Sequence, residues 1–163
     1  DLVGRKLAQN GGRALQAFFK IIADEVATAK AEPRLAPFAE ALEKANAQLQ
    51  GATMWLMQNA MTNPNNAGAG AHSYMHIMGI VSVGLMWLRM ASAAVRLLDA
   101  GEGDSKYLEA KLVTARFYAE RIMPDAGALR RKIEGGADSL MALDPRCSLQ
   151  QRKLRGGPFS LSL

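Results

Sequence analysis

Apolar residues recur at steps of three and four positions through most of this chain, and this period constrains its fold more than any other feature. The clearest example runs from about Leu35 to Met61. Its apolar positions are Leu35, Phe38, Leu42, Ala45, Leu49, Ala52 and Leu56. Because such spacing places side chains on one helical face, it predicts an α-helix with heptad packing against near-antiparallel neighbours. Glu40 and Lys44 are predicted to face outward as a helix-supporting pair.

Two further segments have the same period. From about Arg13 to Ala31 one apolar stripe predicts the first long helix, which Glu32-Pro33 ends because proline disfavours helical geometry in the residue before it. From about Ser73 to Ala100 the sequence is apolar round most of a helix, so this helix is expected to need partners on more than one side. Its small residues, which would let a neighbouring backbone approach closely, are Gly79, Ser82 and Gly84.

A fourth periodic segment begins near Asp104 or Ser105, either of which can serve as an N-cap. The apolar positions of this segment keep their steps of three and four residues across Pro124. The pattern therefore predicts one helix with a kink at the proline. The seam consists of Leu108, Leu112, Ala115, Ala119, Ile122, Ala126, Leu129 and Ile133. Gly135-Gly136 is predicted to end this helix, and Ala137 to Leu143 to form one more short helical turn.

The segments between the predicted helices are rich in turn-forming residues. Asn10-Gly11-Gly12 is expected to end a short lead-in helix, and Asn63 to Gly70 is predicted to be a loop. Since no stretch alternates β-branched and polar residues, the predicted fold class is all-α: an up-down-up-down four-helix bundle with a short extra helix at each end. The expected division is a lead-in helix over 1–10, a helical bundle over 11–143 and a polar, basic tail over 144–163.

The positive charge of the chain does not form a nucleic-acid footprint. Of the formal net charge of +5, the last 20 residues contribute +3, through four basic residues and Asp144. In the rest of the chain Lys and Arg are interspersed with Asp and Glu instead of concentrating on one face. We therefore expect no nucleic-acid partner.

The termini and the cysteine content indicate a cytoplasmic fragment. Cys147 is the only cysteine, which excludes an internal disulfide and a thiolate metal cage and fits a reducing cytoplasm. The chain begins with Asp1 and lacks both an initiator methionine and the apolar core of a secretory signal, so a fragment or a processed piece is expected. The most apolar run, Ile77 to Leu88, has 12 residues, whereas a membrane span needs about 20. A buried helix is predicted instead.

Few residues suggest a catalytic, metal-binding or phosphate-binding role. His72 and His76 stand four apart, as two metal ligands on one helical face would, but no Glu-x-x-His pair accompanies them. We interpret them as a helix-start histidine and a partly buried one. Gly68 to Ala71 only faintly resembles a phosphate loop, since the Lys-Ser or Lys-Thr ending is missing. Cys147 has no evident activating partner, so no catalytic, cofactor-binding or metal-binding residue is predicted.

Methionine is concentrated in the middle of the chain. Seven of the nine methionines are Met54, Met57, Met61, Met75, Met78, Met86 and Met90. Methionine fills irregular gaps in cores and also suits adaptable binding surfaces. Core packing is the preferred interpretation, and a contact face is the alternative, because the third helix has more apolar circumference than one core needs. Trp55 and Trp87 allow the same two interpretations.

Several short stretches resemble one known family. They are Asp1 to Leu7, Tyr74 to Gly79, Thr114 to Pro124 (Thr-Ala-Arg-Phe-Tyr-Ala-Glu-Arg-Ile-Met-Pro) and Gly136 to Met141. Together they resemble the C-terminal region of bacterial acyl-CoA dehydrogenases of the type that includes methylthiopropanoyl-CoA dehydrogenases. The match runs discontinuously over about residues 1–143, and its motifs are packing and capping signatures.

The resemblance implies an accessory role in fatty-acid metabolism. In such enzymes FAD accepts a hydride from the β-carbon of an acyl-CoA, a glutamate removes the α-proton, and the electrons pass to an electron-transfer flavoprotein. The glutamate and the flavin-binding domain would precede this chain, so no catalytic residue carries over to it. The implied partners are the rest of the dehydrogenase chain and a neighbouring subunit in a homo-oligomer.

Two other functions remain open at this point. The chain could be a stand-alone helical interaction module that binds a partner helix or an apolar ligand between its helices. The third hypothesis, which has the least support in the sequence, is an enzyme that binds a metal ion within its helical bundle.

Overall fold

All regular elements in the described part of the chain are helical. The computed structural model describes residues 2–7 and 9–143. Its helices are α1 Arg13–Ala29, α2 Ala36–Asn59, α3 Pro64–Ala100, α4 Ser105–Arg121, α5 Asp125–Glu134 and α6 Asp138–Met141. A π-helical segment Leu2–Lys6 and a 3-10 turn Gln9–Gly12 precede α1. The all-α class is confirmed, whereas the up-down order of four helices stays a prediction. The expected tail over 144–163 lies outside the described residues.

Helix α3 is the central element. It packs against α1, α2, α4, α5 and the segment Leu2–Lys6. Tyr74, Ile77 and Leu88 of this helix have no exposed surface. The prediction that this helix needs partners on more than one side is therefore confirmed. By length and composition α3 could also cross a membrane, a property that it shares with the apolar core helices of many proteins.

The heptad seam of α2 is buried along its whole length. All seven predicted positions are at most 5% exposed, while Glu40 and Lys44 face outward as expected. Next to the seam, the Thr53 hydroxyl donates to the Leu49 carbonyl at 2.8 Å and lies 2.7 Å from the Tyr74 hydroxyl on α3. Burial raises the pKa of Tyr74, so its hydroxyl keeps the proton that it can donate to Thr53.

The segment predicted as a loop over Asn63 to Gly70 is instead the start of α3. The Asn63 side chain caps the helix by accepting a hydrogen bond from the Asn65 N–H at 3.1 Å. Pro64 occupies the first helical position, where its missing N–H leaves no helical hydrogen bond unmade. The prediction was wrong because asparagine and proline favour helix starts as strongly as turns.

Pro124 separates α4 from α5 instead of kinking one continuous helix. The N–H groups of Ile122 and Met123 both donate to the Tyr118 carbonyl, at 3.0 and 3.1 Å, at the end of α4. Because Pro124 has no N–H to continue the helical hydrogen bonds, the prediction of one kinked helix is wrong. The apolar seam nevertheless continues across the break, since Met123 and Ala126 are both buried.

Asn66 joins three parts of the chain where α2 leads into α3. Its Oδ1 accepts a hydrogen bond from the Ala137 N–H, between α5 and α6, at 2.9 Å. Its Nδ2 donates to the Asn59 carbonyl at the end of α2, at 3.3 Å. Trp55 and Asn66 both lie against Gly136. We call this region, where α2 ends, α3 begins and α6 packs, the junction end.

Replacing Asn66 with alanine is expected to lower the free energy of unfolding by about 1–3 kcal/mol, because the part-buried N–H of Ala137 would lose its acceptor. Urea unfolding followed by circular dichroism measures this change. The exposed neighbour Asn65→Ala is the matched control and is expected to change stability by less than about 0.5 kcal/mol. Equal stability of the two variants would contradict the role given to Asn66.

Candidate functional site

The side of α3 opposite the core carries a continuous row of exposed, uncharged residues. We call this row the α3 face: Gly68, His72, Met75, Gly79, Val83, Met86 and Met90. Steps of three and four residues keep the row on one side of the helix, about half a turn away from buried Ile77, Val81 and Leu88. The exposed fractions of its four large apolar side chains lie between 40% and 56%.

The charged residues of α3 are all outside this face. They are Arg89, Arg96 and Asp99. Arg89 donates to Glu25 of α1 at 2.8 Å, and Asp99 accepts from Arg34 at 2.7 Å. Since none of these three residues belongs to the row, the α3 face presents thioethers, a valine, an imidazole and glycine backbone.

The methionines of the central segment are mostly on the surface. Six of the seven are between 40% and 89% exposed: Met54, Met57, Met61, Met75, Met86 and Met90. Met78 alone of the seven is partly buried and packs against the core. The core-packing interpretation is therefore wrong for six residues, because the core is already filled by leucine, isoleucine, valine and alanine. The alternative, a contact face, agrees with their exposure.

Gly79 lies at the centre of the α3 face and has no packing role within the described chain. A Cβ atom added at Gly79 would meet no atom within 4 Å, whereas one added at Gly84 would collide with the side chains of Met123 and Leu42. Glycine costs about 1 kcal/mol relative to alanine inside a helix. Close packing compensates that cost at Gly84, as the sequence predicts, but the described chain offers no such compensation at Gly79.

His72 and His76 lie together on the outside of α3, with ring centroids 4.3 Å apart. Both are exposed, and His72 is eight residues inside the helix, so the interpretation as a helix-start and a partly buried histidine is wrong. The reason is the earlier start of α3 at Pro64. In residues 2–7 and 9–143 no group of three or more His, Cys, Asp or Glu side chains could hold a metal ion. The pair instead adds two exposed imidazole rings to this side of α3.

The stretches that resemble the dehydrogenase family serve packing. The Tyr118 hydroxyl of α4 donates to the Ile80 carbonyl of α3 at 3.0 Å, and burial raises the pKa of Tyr118. Met123 is 3% exposed and lies against Gly84. Tyr74 is in the core, and Gly136 adjoins Asn66 at the junction end. These motifs thus fix how α4 and α5 sit on α3.

An apolar groove of about 510 Å³ runs between α2 and α4. Its apolar lining includes Leu35, Phe38, Ala41, Ala91, Leu112 and Ala115. The two guanidinium groups at its rim are ion-paired within the chain, Arg34 with Glu32 and Asp99, and Arg116 with Glu120. Hydrogen bonds from Arg34 hold the pKa of both its carboxylate partners below their ordinary values. A partner helix or an apolar ligand would find hydrophobic contact here.

The remaining predicted candidates have structural roles or lie outside the described residues. Gly68 to Ala71 is helical, and Gly70 packs against the side chains of Leu56 and Ile133, so no phosphate loop is formed. Trp55 and Trp87 are partly buried and pack against the core. Cys147 lies outside the described residues.

Comparison with known proteins identifies the group to which these features belong. A family model described as acetyl-CoA dehydrogenase C-terminal like matches residues 18–144. The 3-methylmercaptopropionyl-CoA dehydrogenase of Ruegeria pomeroyi is 31% identical over 142 residues, which are 86% of this chain and 24% of that protein. The broad-specificity linear acyl-CoA dehydrogenase FadE5 of Mycobacterium tuberculosis is 30% identical over 152 residues, covering 88% of this chain and 25% of that protein. The chain thus spans about a quarter of the length of these relatives.

Hydrogen peroxide is expected to oxidise the six exposed methionines faster than Met123, because sulfoxide formation requires access to the sulfur atom. Mass spectrometry of peptides taken over a time course gives the rate at each position. Met78 is expected to react at an intermediate rate. If Met123 and Met61 reacted equally fast, the assignment of the methionines to surface and core would be wrong.

Proposed function

The chain belongs to the family of acetyl-CoA dehydrogenase C-terminal-like domains, and from this we propose that it is the C-terminal accessory domain of an FAD-dependent acyl-CoA dehydrogenase. In this proposal the helices do not carry out the oxidation. They pack on the catalytic part of the same polypeptide and on a neighbouring subunit. The observation that carries the proposal is the exposed, uncharged α3 face on the far side of an already filled core.

We place the contact with the catalytic part at the junction end. The segment Leu2–Lys6, which precedes the first long helix, packs on α3. In a C-terminal domain the preceding polypeptide arrives through this segment. Exposed apolar side chains surround the same end, among them Met61 at 89% and Leu140 at 68% exposed. Such a surface gains stability when a neighbouring domain covers it.

We place the contact with a neighbouring subunit at the α3 face. The face extends from Gly68 to Met90, and these 22 steps along the helix span about 33 Å at the rise of an α-helix. Methionine side chains adapt to the shape of a partner, and contiguous exposed apolar surface usually marks an interaction site. The seven residues of the row include no Lys, Arg, Asp or Glu, so none of these charges from the row itself would have to be buried at a contact.

The reaction of the parent protein is proposed from the relatives, both of which are named for acyl-CoA dehydrogenation. We propose an acyl-CoA thioester as substrate and an electron-transfer flavoprotein as electron acceptor. Bound FAD would accept the hydride from the β-carbon of the acyl group. The residues that hold the flavin and remove the α-proton would lie in polypeptide outside this chain. The role of the helices is to support that part and to join subunits.

The intact gene product is expected to purify with FAD and to lose flavin absorbance when an acyl-CoA is added. A variant that lacks residues 11–143 is expected to form a smaller assembly and to unfold at a lower temperature, because the surface that this bundle covers becomes exposed. Size-exclusion chromatography with light scattering and a thermal melt measure these changes. A reading frame that encodes only this bundle would contradict the proposal and favour a stand-alone module that uses the α2–α4 groove.

The 163-residue chain itself is expected to associate through the α3 face. The double substitution Met86→Glu and Met90→Glu should raise the dissociation constant at least about 100-fold, because carboxylates would have to be buried at the interface. Sedimentation equilibrium measures the constant, and circular dichroism checks that the helices persist.

The control is Met54→Glu, which replaces a methionine on α2 that is more exposed than Met86 and Met90. It is expected to leave association unchanged. A wild-type chain that stays monomeric at every concentration, or that floats with phospholipid vesicles as a monomer, would refute the role given to the α3 face.

A further inference from the structure

We propose that His72, Met75 and His76 form a binding site for a copper(I) ion on the outside of α3. The two imidazoles and the thioether are the ligands, and the segment Leu2–Lys6 packs beside them on the helix. This inference goes beyond the proposed function and does not depend on it, because the site needs neither a neighbouring subunit nor the catalytic part.

The three proposed ligands lie on the same side of one helix. Met75 and His76 follow His72 by three and four residues, and such steps place side chains as neighbours on a helical surface, with Cβ atoms about 5–6 Å apart. All three residues are exposed, and Met75 is 56% exposed. His72 and Met75 also border one surface pocket. An ion can therefore approach all three side chains from solvent.

The separation of the two imidazole rings fits a shared ion. Their centroids are 4.3 Å apart, and the ring planes are inclined by 40°. A metal ion about 2 Å from one nitrogen of each ring lies about 3 Å from each ring centre, so ligation by both rings at an angle of about 90–120° places the centroids about 4–5.5 Å apart. Since both rings are exposed, they can turn about their side-chain bonds and direct one nitrogen each at the ion.

Buried neighbours hold the three ligands on the outside of the helix. Ser73, Tyr74 and Ile77 face the core, and Tyr74 and Ile77 have no exposed surface. The Tyr74 hydroxyl also lies 2.7 Å from the Thr53 hydroxyl on α2. These contacts fix the rotation of α3 about its axis, so the ligands are positioned by a rigid element and the backbone does not have to rearrange when the ion binds.

The donor atoms and the local charge select copper(I). A thioether is a soft ligand that suits copper(I), and imidazole also binds copper, whereas Mg²⁺ and Ca²⁺ require oxygen ligands. The first carboxylate along α3 is that of Asp99, far from the site, and the segment Leu2–Lys6 contains no Asp or Glu. Lys6 borders the same pocket as His72 and Met75. Because neither of these two elements supplies a carboxylate at the site to balance a divalent ion, a monovalent ion meets less repulsion there.

Methionine supplies the third ligand at this site. Among residues 2–7 and 9–143, no three His, Cys, Asp or Glu side chains come together as metal ligands. His72 and His76 are the only histidines of the chain. Met78, the next methionine along α3, is partly buried and packs against the core. The proposed site therefore depends on the sulfur atom of Met75.

Competition with the chromophoric chelator bicinchoninate measures copper(I) binding to the 163-residue chain. The titration is done without oxygen and with a reductant, on a Cys147→Ser background so that no thiol competes. One ion per chain is expected. His72→Ala, His76→Ala and Met75→Leu are each expected to raise the dissociation constant at least about tenfold, because each removes one of the three ligands. Circular dichroism checks that the helices persist in these surface variants.

The matched control is Met86→Leu, which removes an exposed methionine sulfur from the same side of α3 at a position without a neighbouring histidine. It is expected to leave the dissociation constant for copper(I) unchanged. Zinc gives a second comparison, since the ligands of zinc sites are imidazole, thiolate and carboxylate. Met75→Leu is therefore expected to weaken the binding of copper(I) and to leave the binding of Zn²⁺ unchanged.

A Met75→Leu chain that binds copper(I) as tightly as wild type would overturn the proposal, because the thioether would then not be a ligand. Equal losses of affinity in Met86→Leu and Met75→Leu would also overturn it, since they would show binding by surface methionines in general. Nuclear magnetic resonance of methyl-labelled methionine tests the wild-type sulfur atoms directly. Copper(I) is expected to shift the Met75 methyl signal more than that of Met86, and equal shifts would contradict the site.

Sedimentation of the same samples separates this inference from the proposed function. A chain that dimerises but does not bind copper(I) overturns the copper site and leaves the subunit contact standing. A chain that binds copper(I) through His72, Met75 and His76 but never dimerises supports the copper site and overturns the subunit contact.

Discussion

The fold depends on the burial of one long helix against several others. Helix α3 is apolar round most of its circumference, and a helix of that kind is stable only when neighbours cover it. Helices α1, α2, α4 and α5 cover most of its sides. The heptad seam of α2 and the interrupted seam of α4 and α5 supply the matching apolar surfaces. The side of α3 that these neighbours leave open is consequently apolar as well, and it becomes the α3 face.

The polar interactions of the chain fix the positions of the helices around α3. Asn66 ties the end of α2 to the junction of α5 and α6, and Tyr118 ties α4 to the Ile80 carbonyl. Arg34 joins the segment before α2 to Asp99 at the end of α3. Each of these bonds links parts that are distant in sequence, so they select one arrangement among the many that apolar packing alone would tolerate. The exposed α3 face and the junction end are surfaces of that one arrangement.

In the proposed function, this organisation would let a domain without predicted catalytic residues serve an enzyme. The stretches that resemble the family contribute Tyr74, Tyr118 and Met123 to the packing between helices, so their physical role in this chain is to fix the shape of the bundle. A rigid bundle of that kind can hold two apolar surfaces at a fixed distance and direction from each other. In the proposed function one of them meets the catalytic part of the chain and the other meets a second subunit.

The sequence by itself determined the helical class, the seven buried positions of the α2 seam and the family, because apolar period and packing motifs are local properties of the chain. It did not determine that Asn63 and Pro64 begin a helix, since both residues also favour turns, or that Pro124 separates two helices. Only the tertiary structure decided which methionines lie outside the core and which glycines have neighbours. Exposure depends on where other helices pack, and no spacing along one segment contains that information. For that reason Gly79 and Gly84 look alike in sequence. In the structure, side chains of Met123 and Leu42 lie against Gly84, whereas Gly79 faces open space.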